Sequence, residues 1–381
     1  MSKQPSIWPD PITCLKHQAP EQPVLFFAPS VLQDVARDFV AGFPGQVTYA
    51  VKANDAPAVI ENLARAGISG FDVASPAEIA LVRGLCPGAA LHYNNPVRSP
   101  GEIAAARAAG VASWSVDGTR ELDKLVAADL PAGTEVAVRL RLPVKGAVYD
   151  FGEKFGEDPE GAAKILRAVA AAGFTPAMTF HPGTQCGEPA AWTAYIGTCA
   201  RVAREAGVRL ARLNVGGGFA ANRDGCTPDL PAIFAAIEAS VAEAFGPEAP
   251  ALVCEPGRAL VAESHVLATR VKAVRECGAV FLNDGIYGSF GEALTSLGVV
   301  GRIQAVDVAG RPRRGTPTPR VVYGPTCDSL DRLPGEYALP GDLAEGDFVL
   351  FEGMGAYSTA TTTRFNGYGQ TQVITVQSLA L

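Results

Sequence analysis

Hydrophobic and polar positions alternate along this chain in two distinct regimes. From residue 47 to residue 255, short β-branched or apolar runs recur, each followed by a turn and a longer Ala-rich stretch of helical periodicity. The runs read as strands are 47–52, 70–73, 90–94, 112–116, 135–142, 177–181, 212–215 and 252–255. Helical stretches lie between them at 56–66, 76–83, 100–109, 118–128, 159–172, 189–206 and 228–245. Prolines at several helix starts suit the first turn, and glycines at 67, 110, 173 and 207 suit C-terminal caps. An apolar run at 23–28 and a helical stretch at 30–40 precede this series.

Eight strands alternating with helices predict an α/β fold: a parallel (β/α)8 TIM barrel. The competing reading is a doubly wound open sheet, for which Gly216-Gly-Gly218 could serve a dinucleotide. That triplet is not GxGxxG, and no acidic residue follows at the expected later strand end. After Pro256 the Ala-rich helices stop. Strand-like runs at 264–272, 280–283, 298–307, 319–324, 347–352 and 372–376 predict a C-terminal all-β domain. The expected division is a barrel at 28–260 and a β domain built from 1–27 and 261–381. The three arginines of 311–314 read as solvated.

The chain has 381 residues, 48% of them hydrophobic and 19% charged, so a sizeable core can form. A net charge of −7 argues against nucleic acid, whose usual footprint is a basic face. No apolar run reaches the roughly 18 residues that span a bilayer, and residues 1–11 lack a signal-peptide pattern. No membrane partner and a cytoplasmic location are therefore expected. Eight cysteines without a CxxC pair, and only four histidines, predict free thiols and no metal site.

Polar residues gather at the strand ends: Lys52, Asp72, Asn94, Asp117, Arg139 with Arg141, His181, Gly216 to Gly218, and Glu255. In a barrel these ends converge on one mouth. An isolated lysine is usually a solvated surface residue. At a mouth, partly desolvated, its neutral amine can form a Schiff base. His181 can stack on an aromatic ligand, the glycine triplet exposes N–H groups to a phosphate, and Glu255 can meet a ring nitrogen. Arg258 pairs either with Glu255 or with that phosphate. Schiff-base lysine, phosphate cradle, stacking histidine and ring-nitrogen carboxylate together describe a site for pyridoxal 5′-phosphate.

The chain resembles the fold-type III pyridoxal-phosphate decarboxylases, the ornithine/diaminopimelate/arginine decarboxylase family. The resemblance rests on Tyr49-Ala-Val-Lys-Ala-Asn54, Phe71-Asp-Val-Ala-Ser-Pro-Ala-Glu78, Phe180-His-Pro-Gly-Thr184, Asn214-Val-Gly-Gly-Gly-Phe219 and Glu255-Pro-Gly-Arg258. It continues in Asn283-Asp-Gly-Ile-Tyr-Gly-Ser-Phe290, Tyr323-Gly-Pro-Thr-Cys-Asp-Ser-Leu-Asp331 and Gly355-Ala-Tyr357. It implies an alanine-racemase-type barrel with a β domain, and a homodimer with shared active sites. By the same resemblance Lys52 carries the cofactor, His181 stacks on it and Glu255 holds its nitrogen. Thr184, Gly217, Gly218, Gly257, Arg258 and Tyr357 surround the phosphate, while Asp72, Glu78 and Arg139 lie around the Schiff base. Cys327 is implied as proton donor, with Asp284, Tyr287, Asp328 and Asp331 at the substrate's distal end.

Cys327-Asp-Ser-Leu-Asp331 matches the ornithine-type pattern, and its acidic groups suit an ammonium tail. The resemblance thus implies a basic L-amino-acid substrate, first L-ornithine (giving putrescine, for polyamine biosynthesis), then L-lysine (giving cadaverine). Pro182, Thr184 and Gly291 depart from the usual ornithine pattern, so carboxynorspermidine, diaminopimelate or an amino-acid racemase stay open. Residues 144–158, long for a strand-to-helix connection, are expected to form a lid over the mouth.

Overall fold

The computed structural model of the chain describes residues 7–143 and 154–381. Two compact units divide it: Val35–Ala220 with Pro228–Leu260, and Met1–Asp34 with Ala221–Thr227 and Val261–Leu381. The division falls a few residues later than 27/28 at the N-terminal side, and it assigns Ala221–Thr227 to the β-rich unit. Strand β1 (Val24–Phe27) belongs to that second unit.

In the first unit, β2 (Gln46–Ala50), β3 (Gly70–Val73), β4 (Ala90–Tyr93), β5 (Ser113–Val116), β6 (Glu135–Leu140), β7 (Thr175–Phe180), β8 (Arg212–Asn214) and β9 (Ala251–Cys254) form a closed parallel barrel. Closure comes from β2 pairing with β9 through Gln46↔Val253 and Val47↔Cys254. Most strand residues are buried, as parallel strands covered on both faces require. The helices that follow are started by matching chemistry. Ser75, Ser99, Asp158 and Asp229 each accept a first-turn N–H, and Ser99 with Glu102 completes a capping box. Gly67, Gly110, Gly173 and Gly207 all take positive φ just past a helix, as the sequence predicts.

One barrel helix, Leu230–Phe245, corrects the reading of the apolar runs. With its 3-10 extension to Glu248 it is 19 residues long, with a mean hydropathy of 1.2, enough by length and composition to cross a membrane. It carries Glu238 and Glu243, however, and buries a single stripe of Ile233, Phe234, Ile237 and Val241. Phe234 packs edge-on against Phe39 and Phe219 at 5.4 and 5.8 Å.

Inside the barrel, Arg212 pairs with Glu135 at 3.1 Å and donates to Gln46 Oε1 at 3.2 Å. These links join strands that are not neighbours, so they cross the interior. His92 Nδ1 meets Ser113 Oγ at 2.7 Å in the same sheet. Burial, and then the Arg212 guanidinium, push His92 down to about 4. The folded value lies below the unfolded one, so the neutral ring's contribution is complete above pH ~6.5 and is lost as pH falls toward 4. Stability should fall by at most about 1.4 kcal/mol per pH unit from this group across that window. Urea melts from pH 7 to 4.5 check it: His92→Asn should flatten the slope, and parallel slopes would refute the assignment.

The second unit holds a seven-stranded sheet in which β12 (Ile303–Val306), β16 (Phe348–Glu352), β10 (His265–Val274), β1 and β17 (Gln372–Thr375) lie side by side. β11 (Val280–Leu282) and β14 (Val322–Tyr323) extend it from β10. The N-terminal segment does join this unit: β1 pairs antiparallel with β10 and parallel with β17. Alternation along β1 sends Leu25 to one core with Val349 and Phe351, and Val24 and Phe26 to another with Phe348 and Leu350.

Three features differ from the sequence reading. A helix at Pro11–Gln18, capped by Asp10, was not anticipated. The run at 319–324 splits into β13 (Pro317–Arg320) and β14, and β13 pairs with an unforeseen short strand, β15 (Tyr337–Pro340). Arg311 and Arg313 are not merely solvated but pair with the buried carboxylates Asp307 and Asp347, each at 2.7 Å. The expected lid falls outside the described residues over 144–153; past it, Glu157 bridges to Leu140 of β6.

Candidate active site

Lys52 does not end a strand. β2 stops at Ala50, whose N–H reaches Pro256 O beyond the end of β9, and Val51–Ala53 tighten into one 3-10 turn. The turn presents the Lys52 side chain while its neighbours are buried. Gly257 makes the packing possible: a Cβ there would lie 3.0 Å from Ala53 Cβ and 3.3 Å from Ala50 Cβ.

Opposite charges surround this amine. Burial raises the Asp72 carboxyl, and the Lys52 and Arg139 cations oppose that rise. Burial, reinforced by Asp72, likewise raises Glu255, against the Asn214 hydrogen bond and the same two cations. Burial pulls Arg139 down, with Glu255 the chief opposing charge. Glu78, in the first turn of the helix Pro76–Leu85, accepts from Ala74 N at 2.7 Å, and burial pushes it up to about 6. Arg139 also covers the Phe155 ring at 5.2 Å.

His181 follows β7 and accepts a hydrogen bond on Nδ1 from Gly183 N at 3.1 Å. A backbone amide can only donate, so the ring proton sits on Nε2. Burial, then Lys52 and Arg139, hold the imidazole well below its usual range, so it is neutral. Beside it runs the glycine triplet. A Cβ would meet Phe180 O at 2.1 Å from Gly216, Glu255 O at 2.6 Å from Gly217, and Gly183 O at 2.1 Å from Gly218. Gly216 and Gly218 also have φ of +71° and +83°. Only glycine fits, and no described residue accepts from the Gly217 or Gly218 N–H. Such open amides beside a backbone concavity suit an anion. Thr184 lies in the adjoining loop, which Cys186 N ties to Gly218 O at 2.8 Å. Arg258 is buried at the start of the short helix Arg258–Val261.

Two residues given no role from sequence organise Glu255. Asn94 Nδ2, after β4, and Asn214 Nδ2, ending β8, both donate to Glu255 Oε1. Asn94 stood among the strand ends and Asn214 within a motif, but single amides carry no signature of a shared acceptor.

The barrel unit thus holds Lys52, Asp72, Arg139, His181, Thr184, Gly217, Gly218, Glu255, Gly257 and Arg258. The β-rich unit holds Asp284, Tyr287, Cys327, Asp328, Asp331 and Tyr357. Within the latter, Cys327 is exposed, and its N–H and Sγ both approach Asn366 Oδ1, at 3.1 and 3.3 Å. Tyr287 Oη donates to Asp328 Oδ2, and its ring tilts against Phe365 at 4.7 Å. Tyr357 has a φ of +61°, and its carbonyl accepts from Thr361 Oγ1 at 2.7 Å.

Asp284 and Asp331 are placed differently from the substrate groups expected. Asp284 is 2% exposed and folds back on its own turn, accepting from Gly285 N and Ser289 N, with burial pushing it up to about 6. Asp331 is 1% exposed and accepts from Ile286 N, Thr326 N and Thr326 Oγ1, stapling two loops together. The flanking glycines were the missed signal: a Cβ on Gly285 or Gly324 would lie 2.1 Å from Asp331 Oδ1. Asp331→Ala orphans three donors and should cost about 2–4 kcal/mol in urea melts. A loss below about 1 kcal/mol would contradict the staple.

A family model described as pyridoxal-dependent decarboxylase, pyridoxal binding domain, matches residues 31–262. The chain is 33% identical over 349 residues to the ornithine decarboxylase of Panagrellus redivivus, covering 84% of this chain and 77% of the relative. It is 33% identical over 331 residues to the lysine/ornithine decarboxylase of Selenomonas ruminantium, covering 84% and 81%. Its fold is similar to the arginine decarboxylase of Paramecium bursaria Chlorella virus bound to agmatine, with a TM-score of 0.84, 26% identity and coverage of 95% and 98%. It is also similar to the lysine/ornithine decarboxylase of Vibrio vulnificus complexed with putrescine, with a TM-score of 0.81, 28% identity and coverage of 96% and 97%. The chain belongs to the fold-type III pyridoxal-dependent decarboxylases. It is an enzyme, a carboxy-lyase that uses pyridoxal 5′-phosphate. The glycine cradle that any Cβ would fill and the amide-held Glu255 carboxylate fit that cofactor's phosphate and ring nitrogen.

Proposed function

We propose that this enzyme decarboxylates a basic L-amino acid, chiefly L-ornithine to putrescine in polyamine synthesis, and L-lysine to cadaverine more slowly. One observation carries the choice. Of three acidic candidates, Asp284 and Asp331 are buried in their own turns, while Asp328 stays accessible beside Cys327. The Tyr287 hydroxyl, and then Leu330 N–H, hold the Asp328 carboxyl below the usual range, so it is ionised at neutral pH and suits an ammonium. The relatives named for ornithine and lysine support the same class. One methylene separates the two substrates, a difference worth only ~1–3 kcal/mol in a pocket, so overlapping activity is expected.

In this reading the bound cofactor supplies the electron sink for bond cleavage at Cα. Lys52 would hold it through its side-chain amine, at the position where the substrate amine also has to enter. Glu255 would hold the proton at the ring nitrogen, His181 would cover the ring as a neutral imidazole, and Gly217, Gly218 and Arg258 would bind the phosphate. Thr184 and Tyr357 assist there. The Cα–carboxylate bond breaks, carbon dioxide leaves, and Cys327 Sγ gives its proton to Cα. Asp328 orients the distal amine. We further propose a homodimer in which Cys327 and Asp328 serve the partner's barrel.

Carbon dioxide release across ornithine, lysine, arginine, diaminopimelate and carboxynorspermidine tests the substrate. Ornithine should show the highest kcat/KM, with lysine within about two hundredfold. Asp328→Ala should raise KM for ornithine about tenfold or more, with a smaller change in kcat. Preference for diaminopimelate or carboxynorspermidine, or an unchanged KM in the variant, would overturn the assignment.

A further inference from the structure

We infer that Asn94 and Asn214 are positioning residues that fix Glu255 for the cofactor's ring nitrogen, and that Asn214 couples this carboxylate to the glycine cradle. The inference rests on the reading of Glu255 as the ring-nitrogen partner.

The geometry is over-determined. Asn214 Oδ1 accepts from Gly216 N at 2.9 Å, and an amide N–H can only donate, so the orientation of the Asn214 carboxamide is settled. Its Nδ2 must then face Glu255 Oε1, where it donates. Asn94 faces two carboxylates: it donates to Glu255 Oε1, and its side chain and backbone also counter the burial-driven rise of Asp72. Flipping it would set its carbonyl oxygen against two carboxylates.

Both donors fall on one oxygen. Oε1 therefore cannot itself carry a proton, because an O–H there would point into N–H groups. Any proton on Glu255 resides on Oε2, which no described residue occupies as a donor. The two amides thereby define the atom at which Glu255 exchanges a proton with its ligand. They also bear the cost of setting Asp72 and Glu255 close together, alongside Lys52, Arg139 and neutral His181. Asn214 does more, since its other end holds Gly216 at the start of the cradle. The ring-nitrogen carboxylate and the phosphate-binding backbone are joined through this one side chain.

The test uses holoenzyme loaded with 15N-labelled pyridoxal 5′-phosphate, reading the ring-nitrogen chemical shift, the cofactor Kd, and kcat and KM. With Asn94→Ala, Glu255 keeps its proton on Oε2 more strongly, so the ring-nitrogen signal moves toward the unprotonated position. kcat should fall about tenfold, with KM within about twofold. Asn214→Asp retains the acceptor for Gly216 but loses the donor to Glu255. It should move the nitrogen signal while leaving cofactor Kd within about threefold of wild type. Asn214→Ala should change both. Glu255→Ala is the control. If that variant leaves the nitrogen signal in place, the reading of Glu255 itself fails. If it moves the signal and neither Asn94→Ala nor Asn214→Asp does, the positioning inference alone is overturned.

Discussion

Lys52→Ala should lose decarboxylation by about a thousandfold or more, together with the visible absorption band of the bound cofactor. The expectation follows from position as much as from residue type. The 3-10 turn holds the amine at the mouth while Ala50 and Ala53 pack on Gly257. Lys52, together with Arg139, opposes the burial-driven rise of both Asp72 and Glu255. Its removal would delete the proposed covalent anchor and one of the two cations that balance these carboxylates. The protein should still fold, since the Lys52 side chain is exposed and the turn's backbone bond from Asn54 N to Val51 O does not depend on it. Spectroscopy and steady-state kinetics on the purified variant check this. Survival of both band and activity would remove the basis for every other role assigned at the mouth.

Cys327→Ala should lower kcat by about a hundredfold or more, because a positioned proton donor contributes on that scale. KM should change little, since Asp328 and its Tyr287 partner remain. The same variant tests the shared-site homodimer. Mixing inactive Lys52→Ala with Cys327→Ala under conditions of subunit exchange should restore about a quarter of wild-type activity, because each hybrid dimer regains one complete site. No recovery, with exchange shown independently, would mean that each chain uses its own Cys327.

Much of this architecture is legible in the sequence because the barrel repeats one signal eight times. Each strand is a short apolar run, most helices have a proline, serine or aspartate at their start, and glycine follows several helix ends. Asp72, His181 and Glu255 stood out because polar groups at the exits of apolar runs are costly unless used. What stayed hidden depends on three-dimensional neighbours. Nothing in the sequence says that Asn94 and Asn214, 120 positions apart, share one oxygen of Glu255. Asp284 and Asp331 read as substrate groups because acidic residues near a reactive cysteine invite that role. Their true partners are backbone amides of loops that glycine lets approach. The strand Tyr337–Pro340 was missed for a local reason: it is short, ends in proline, and pairs only with the equally atypical Pro317–Arg320.

Lys52 is the residue proposed to carry the cofactor at the barrel mouth. Reduction of the holoenzyme with borohydride, followed by mass analysis of its tryptic peptides, tests it most directly. A pyridoxyl adduct is expected on the peptide that contains Lys52. An adduct on any other lysine, or none with cofactor bound, would contradict it.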